Sequence, residues 1–100
     1  MSIRKVDESP ITQGTDEQIA YNIDTTPWGG YDSGAACIIK NGSGADVSET
    51  HLSGSVSVNG NIITTPKVIS LVPEVKYRLE VAWVKSANKF ECYCEFIGEE

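Results

Sequence analysis

Two stretches near the end of the chain alternate so strictly that a β-hairpin is the arrangement that satisfies them. Tyr77, Leu79, Val81 and Trp83 alternate with Lys76, Arg78, Glu80 and Ala82, and Phe90, Cys92, Cys94 and Phe96 alternate with Glu91, Tyr93 and Glu95. A strand turns successive side chains to opposite faces, so each stretch offers one face to a core and one to water. Placing Trp83 opposite Phe90 sets Arg78 beside Glu95, an attractive pair. Sliding the second strand by two residues would set Glu80 against Glu95 instead, so the first register is expected. Asn88 is the natural left-handed residue for the connecting turn.

Shorter signals of the same kind fill the rest. Residues 18–24 place Ile19, Tyr21 and Ile23 on one face, with Ala20 and Asn22 on the other. The loop Thr25-Thr26-Pro27-Trp28-Gly29-Gly30-Tyr31-Asp32 is too rich in Pro and Gly for regular structure. Residues 35–40 read as a short apolar strand that ends at Asn41-Gly42-Ser43-Gly44, and the polar residues 45–52 leave room for a short edge strand. In Val56-Ser57-Val58-Asn59-Gly60-Asn61-Ile62-Ile63, Asn59-Gly60 supplies a type I′ turn. That turn would set Val58 opposite Asn61 and Val56 opposite Ile63. No helical periodicity and no internal repeat stand out. The expected fold is therefore all-β, an antiparallel sandwich with a small antiparallel barrel as the alternative.

One hundred residues suffice for one domain with its own core, assigned here to residues 10–100. Residues 1–9 are polar and charged and read as a loosely held arm, with Pro10 marking entry into the fold. Fourteen acidic residues against eight basic ones give a formal charge of −6, and the basic residues are scattered along the chain. That balance repels a phosphate backbone, so no nucleic-acid partner is expected. No run approaches the roughly 18 apolar residues of a membrane helix, and none is expected in a membrane. The first eight residues lack the apolar core of a secretory signal, which predicts a cytoplasmic product. Three cysteines leave one unpaired in any disulfide scheme, and reduced thiols are expected; a bridge from Cys37 to Cys92 or Cys94 remains open.

Chemistry is sparse. Nucleophilic catalysis needs a nucleophile, a base and an orienting group, and the one histidine, His51, lies in the polar run Ser48-Glu49-Thr50-His51-Leu52-Ser53 without a nucleophile elbow. Cys92 and Cys94 point the same way between Phe90 and Phe96 and read as small core residues. A metal site needs about four converging ligands, so neither a metal nor another cofactor is expected. Asp24 and Asp32 flank one loop, where a solvated rim is favoured over a shared ion. The candidate partner-binding loop is Trp28, Gly29, Gly30 and Tyr31. Large aromatics on a glycine-rich loop form binding hot spots for protein or sugar, while the favoured alternative has Trp28 closing the end of the core as a plug.

The run Leu71-Val72-Pro73-Glu74-Val75-Lys76-Tyr77-Arg78-Leu79-Glu80-Val81 resembles the L-x-P-G-x-x-Y-x-V-x-V stretch of fibronectin type III and related immunoglobulin-like domains. In those domains the tyrosine hydroxyl ties a corner of the chain. The resemblance gives that part to Tyr77, with Glu74 in place of the usual turn glycine. From about Pro10 onward the order of Tyr21-Asn22-Ile23-Asp24, Trp28-Gly29-Gly30, Gly60-Asn61, the Leu71 to Val81 run and Phe90-Glu91-Cys92-Tyr93 is similar to small immunoglobulin-like phage and prophage proteins. That likeness implies a non-enzymatic structural or assembly module of a virion, head-tail, tail or fibre-associated. Its partners would be other virion or tail proteins, or further copies of itself, and it would pass from the host cytoplasm into the virion. The runner-up is a sugar- or protein-binding module that uses the Trp28 and Tyr31 loop.

Overall fold

The computed structural model describes residues 4, 5 and 11–100. Apart from Arg4 and Lys5, the expected arm over residues 1–9 lies outside the described residues. Along the chain come β1 (Arg4–Lys5), β2 (Ile11–Gly14), β3 (Asn22–Asp24), a 3-10 turn (Thr26–Trp28) and β4 (Ser33–Asn41). A single helical turn, α1 (Ser48–His51), leads to β5 (Leu52–Ser53), β6 (Ser57–Asn59), β7 (Ile62–Thr64), β8 (Lys67–Val68), β9 (Lys76–Lys85) and β10 (Asn88–Glu99). The fold is all-β, and among the described residues no helix is long and apolar enough to cross a membrane.

The C-terminal hairpin adopts the expected register, with Phe90 opposite Trp83 and Glu95 opposite Arg78. Its two-residue loop is Ser86-Ala87, both at positive φ (52° and 64°), so Asn88 is already strand. Asn88 is not in the turn because the register that sets Phe90 opposite Trp83 also pairs Asn88 with Lys85. The Asp32 carboxylate then holds the turn, accepting from the Ser86 N–H at 2.7 Å and Lys85 Nζ at 3.2 Å.

β9 is the centre of the main sheet, between β10 and β4, both antiparallel to it. The far edge of β10 pairs in parallel with β1 at Cys92 and Tyr93 and with β2 from Phe96 to Glu99, a departure from an all-antiparallel sheet. A second sheet runs β3-β7-β6, and β5 pairs with β8. Ile39, Leu79, Val81, Trp83, Cys92, Cys94 and Phe96 of the main sheet share one buried cluster with Ile63, Val68 and Leu71 from the other side. Tyr21 meets Phe96 edge-on across that core, with ring centroids 5.0 Å apart.

The second hairpin forms with a corrected register. Val58 faces Ile63 and Asn59 faces Ile62, so Gly60-Asn61 turns the chain rather than Asn59-Gly60. Gly60 carries the positive φ, 61°, as the first central residue of a type II′ turn does. The cause is tertiary: Asn61 is claimed by the neighbouring loop, its carbonyl accepting from the N–H and hydroxyl of Thr25, each at 2.8 Å. The polar stretch 45–52, expected to hold only an edge strand, gives an isolated bridge from Asp46 to Lys40, then α1 and the start of β5.

Candidate functional site

The Trp28 loop is built inward. Thr25 is fully buried, and from its two bonds to Asn61 the chain makes one 3-10 turn, with the Trp28 N–H donating to the Thr25 carbonyl at 2.9 Å. This drops the Trp28 indole edge-on against the fully buried Trp83, ring centroids 5.4 Å apart, and Trp83 in turn stacks on Phe90 at 6.1 Å. Gly30 is buried and returns its N–H to the Thr25 carbonyl, while Gly29 stays exposed. The Tyr31 N–H donates to Asn61 Oδ1, and its half-buried side chain accepts from the Ala35 N–H through the hydroxyl. Trp28 and Tyr31 thus both pack against the core, in the arrangement of a plug. The Trp83 indole N–H is buried without a hydrogen-bond partner among the described residues.

The two acids flanking this loop are occupied separately. Hydrogen bonds from the Thr26 hydroxyl and N–H hold the Asp24 carboxyl below its ordinary range, and those from the Ser86 N–H and Lys85 do so for Asp32. Among the described residues no three His, Cys, Asp or Glu side chains gather to hold a metal ion.

His51 is buried on the opposite flank of the core. Its ring meets Tyr77 edge-on at 4.8 Å, and Nδ1 donates to the Ile69 carbonyl at 3.2 Å. The nearby Ser48 hydroxyl is engaged elsewhere, donating to Asp46 Oδ1 at 2.6 Å and accepting from the Ile39 N–H. Tyr77 ties the corner as its motif implies, its hydroxyl accepting from the Val72 N–H at 3.0 Å. Glu74, in place of glycine, stands at φ 66°, and the Val75 N–H returns to the Val72 carbonyl across it. Pro73 followed by a positive φ is the pattern of a type II turn.

The three thiols are free. Cys37 and Cys92 register with Val81 from opposite sides, so two strand spacings separate them. That is about 10 Å between Cα atoms, beyond the roughly 7 Å at which a bridge can close. Burial pushes the Cys37 thiol up to about 12 and the Cys92 thiol to about 11, leaving almost no thiolate at neutral pH.

One group of residues escapes a linear reading. On the outward face of the main sheet Lys40, Arg78 and Glu95 lie in one cross-strand row. Glu80 draws the two cations together, Oε1 at 3.4 Å from Lys40 Nζ and Oε2 at 3.0 Å from Arg78 Nε. The Arg78 Nε–H is not aimed at that oxygen, so this contact is a charge pair without a hydrogen bond. The guanidinium lies over the Tyr93 ring, 3.9 Å from its centroid. The signal available in the sequence was the set of outward positions on β9, once paired with β4. Comparison with protein-family models, curated proteins and solved structures finds no match to this chain.

Proposed function

We infer that the chain is an immunoglobulin-like β-sandwich acting as a non-enzymatic structural or assembly module, of the kind that phage and prophage virions use in heads, tails and fibres. The fold part of this reading rests on strand order. One sheet runs β3-β7-β6 and the other contains β4-β9-β10, the order B-E-D against C-F-G of immunoglobulin domains, with the tyrosine of the corner on the strand in the F position.

The functional part is carried by one observation: the groups best suited to chemistry are spent on holding the fold. His51 is buried and bonded to backbone, and the Cys37 and Cys92 thiols are held protonated. An interaction module needs only surface, and fold alone does not assign one. The competing sugar-binding reading needs Trp28 and Tyr31 on offer to a ligand, whereas both are turned into the core.

Sedimentation velocity of the whole chain, and of a chain lacking residues 1–9, tests the assembly reading across a wide concentration range. Removing the arm strips the β10 edge at Cys92 and Tyr93 of its pairing with Arg4 and Lys5. Self-association that changes with the arm supports assembly through copies of this chain. A strict monomer in both forms at the highest concentration rules out homo-assembly and leaves an adaptor between other proteins.

A further inference from the structure

The outward face of β4, β9 and β10 gathers basic side chains in a chain that is acidic as a whole. Among the described residues, Lys40, Lys76 and Arg78 border one open recess of about 410 Å³, together with the acidic Glu80 and Glu95. Gly42 and Gly44 form part of its wall and leave it open, having no side chains to fill it. Lys40 stands directly opposite Arg78 in the β4–β9 register, a like-charge pairing that destabilises a sheet. Glu80 offsets this by bridging them, which also fixes both cations at the rim. The Tyr93 ring supports Arg78 from the other side.

A second, smaller recess of about 200 Å³ adjoins on the same face and shares Glu80. Ala36, Ile38 and Ala82 give it an apolar part, beside the charged Glu80, Lys89 and Glu91. The Ala36–Ala82 row lies four residues along β4 from the Lys40–Arg78 row. Four residues of extended chain span about 13 Å. We propose that this face docks an extended segment of a protein partner, in which a carboxylate side chain enters the cationic recess and an apolar side chain four residues away covers Ala36 and Ala82. The two glutamates in the recess set the class of ligand. Among the described lining residues they leave one cation in excess, suited to a single carboxylate, and they repel the closely spaced phosphates of a nucleic acid. Arg78, which lines the larger recess and lies over the Tyr93 ring, is of a residue type that anchors protein interfaces.

This deepens the reading of the chain as an interaction module, and its test is independent of the sedimentation result. Isotope-labelled full-length chain is titrated with a capped peptide carrying glutamate four residues before leucine, followed by backbone amide shifts. The expected result is saturable shifts confined to residues 36–44, 76–82 and 91–95. Binding should weaken about two- to five-fold in Lys40→Gln or Lys76→Gln, surface changes that leave the core intact, and on raising salt. The same peptide with glutamine for glutamate, or with leucine only two residues away, should bind several-fold more weakly. Equal binding of the glutamine peptide, or shifts spread over the whole surface, overturns the proposal. Stronger shifts with inorganic phosphate than with the peptide overturn it in favour of a free-anion site. The same amides shifting on simple dilution would name a second copy of the chain as occupant and overturn the assignment to a separate partner.

Discussion

Glu74, Ser86 and Ala87 all occupy the left-handed region that favours glycine. A side chain there costs on the order of 1 kcal/mol, part of which glycine returns to the unfolded chain as entropy. Glu74→Gly and Ala87→Gly are therefore each expected to stabilise the fold by about 0.5–1 kcal/mol, read as a rise in the urea midpoint with unchanged slope. Gly98 is the opposite case. A Cβ at this position would lie 2.1 Å from the Val72 carbonyl oxygen, where the tyrosine corner crosses the last strand, with backbone bonds from Glu74 to Gly98 and from Gly98 to Val75. Neither backbone can yield without breaking those bonds. Gly98→Ala is expected to cost about 3 kcal/mol in the same measurement. The corner bond itself is tested by Tyr77→Phe, which leaves the half-buried Val72 N–H without its acceptor. The expected loss is about 1–2 kcal/mol, with faster hydrogen exchange at Val72.

At the scale of elements, the long last strand is protected on both sides: β9 covers one edge, and β1 and β2 cover parts of the other. An uncovered edge of this length invites pairing with other chains. What holds β2 in place is the fully buried Gln13. Its amide donates to the Val68 carbonyl at 2.8 Å and the Glu17 carbonyl at 3.1 Å, and its Oε1 accepts from the Tyr21 hydroxyl at 2.6 Å. One side chain thus ties the β10 edge to β8 and to the approach to β3. Gln13→Leu retains the bulk but strands these partners. It is expected to cost about 2–3 kcal/mol, with amide exchange accelerating first across Ile11–Gly14 and not in the β9–β10 hairpin.

The whole molecule is buttoned by protonated groups. Burial, with the nearby Glu17 charge adding to it, pushes the Tyr21 hydroxyl from 10.0 to about 12, and burial raises the Cys37 and Cys92 thiols from 9.0 to about 12 and 11. Each of these pKa values is higher folded than unfolded, so the stability linked to them is fully present below about pH 9 and is lost as pH climbs towards 12. Denaturation midpoints measured from pH 7 to 12 are expected to hold level to about 9 and then fall; a flat profile would contradict the burial of these groups. On the acid side Asp24, Asp32 and Asp46 are lowered by hydrogen bonds from Thr26, Ser86 and Ser48. Their contribution is present above the ordinary carboxyl range and lost as pH falls through it. It is small, because all three are exposed and well solvated.

The sequence by itself determined the features encoded within a few residues of one another. Alternation and one favourable charge pair sufficed for the register of β9 against β10, while the bond made by the Tyr77 hydroxyl was implied by the resemblance of the Leu71 to Val81 run. The inward pointing of Cys92 and Cys94 followed from the same period of two. Only the tertiary structure decided the rest. The turn settled on Gly60-Asn61 because Asn61 is bonded to a loop 30 to 36 positions earlier in the chain. β1 and β2 joined the last strand in parallel, a pairing no local pattern announces. Lys40 came to face Arg78 only because β4 and β9, far apart in sequence, are neighbours. Local alternation and turn chemistry act over a few residues, whereas these contacts depend on which packing buries the most apolar surface with its polar groups satisfied.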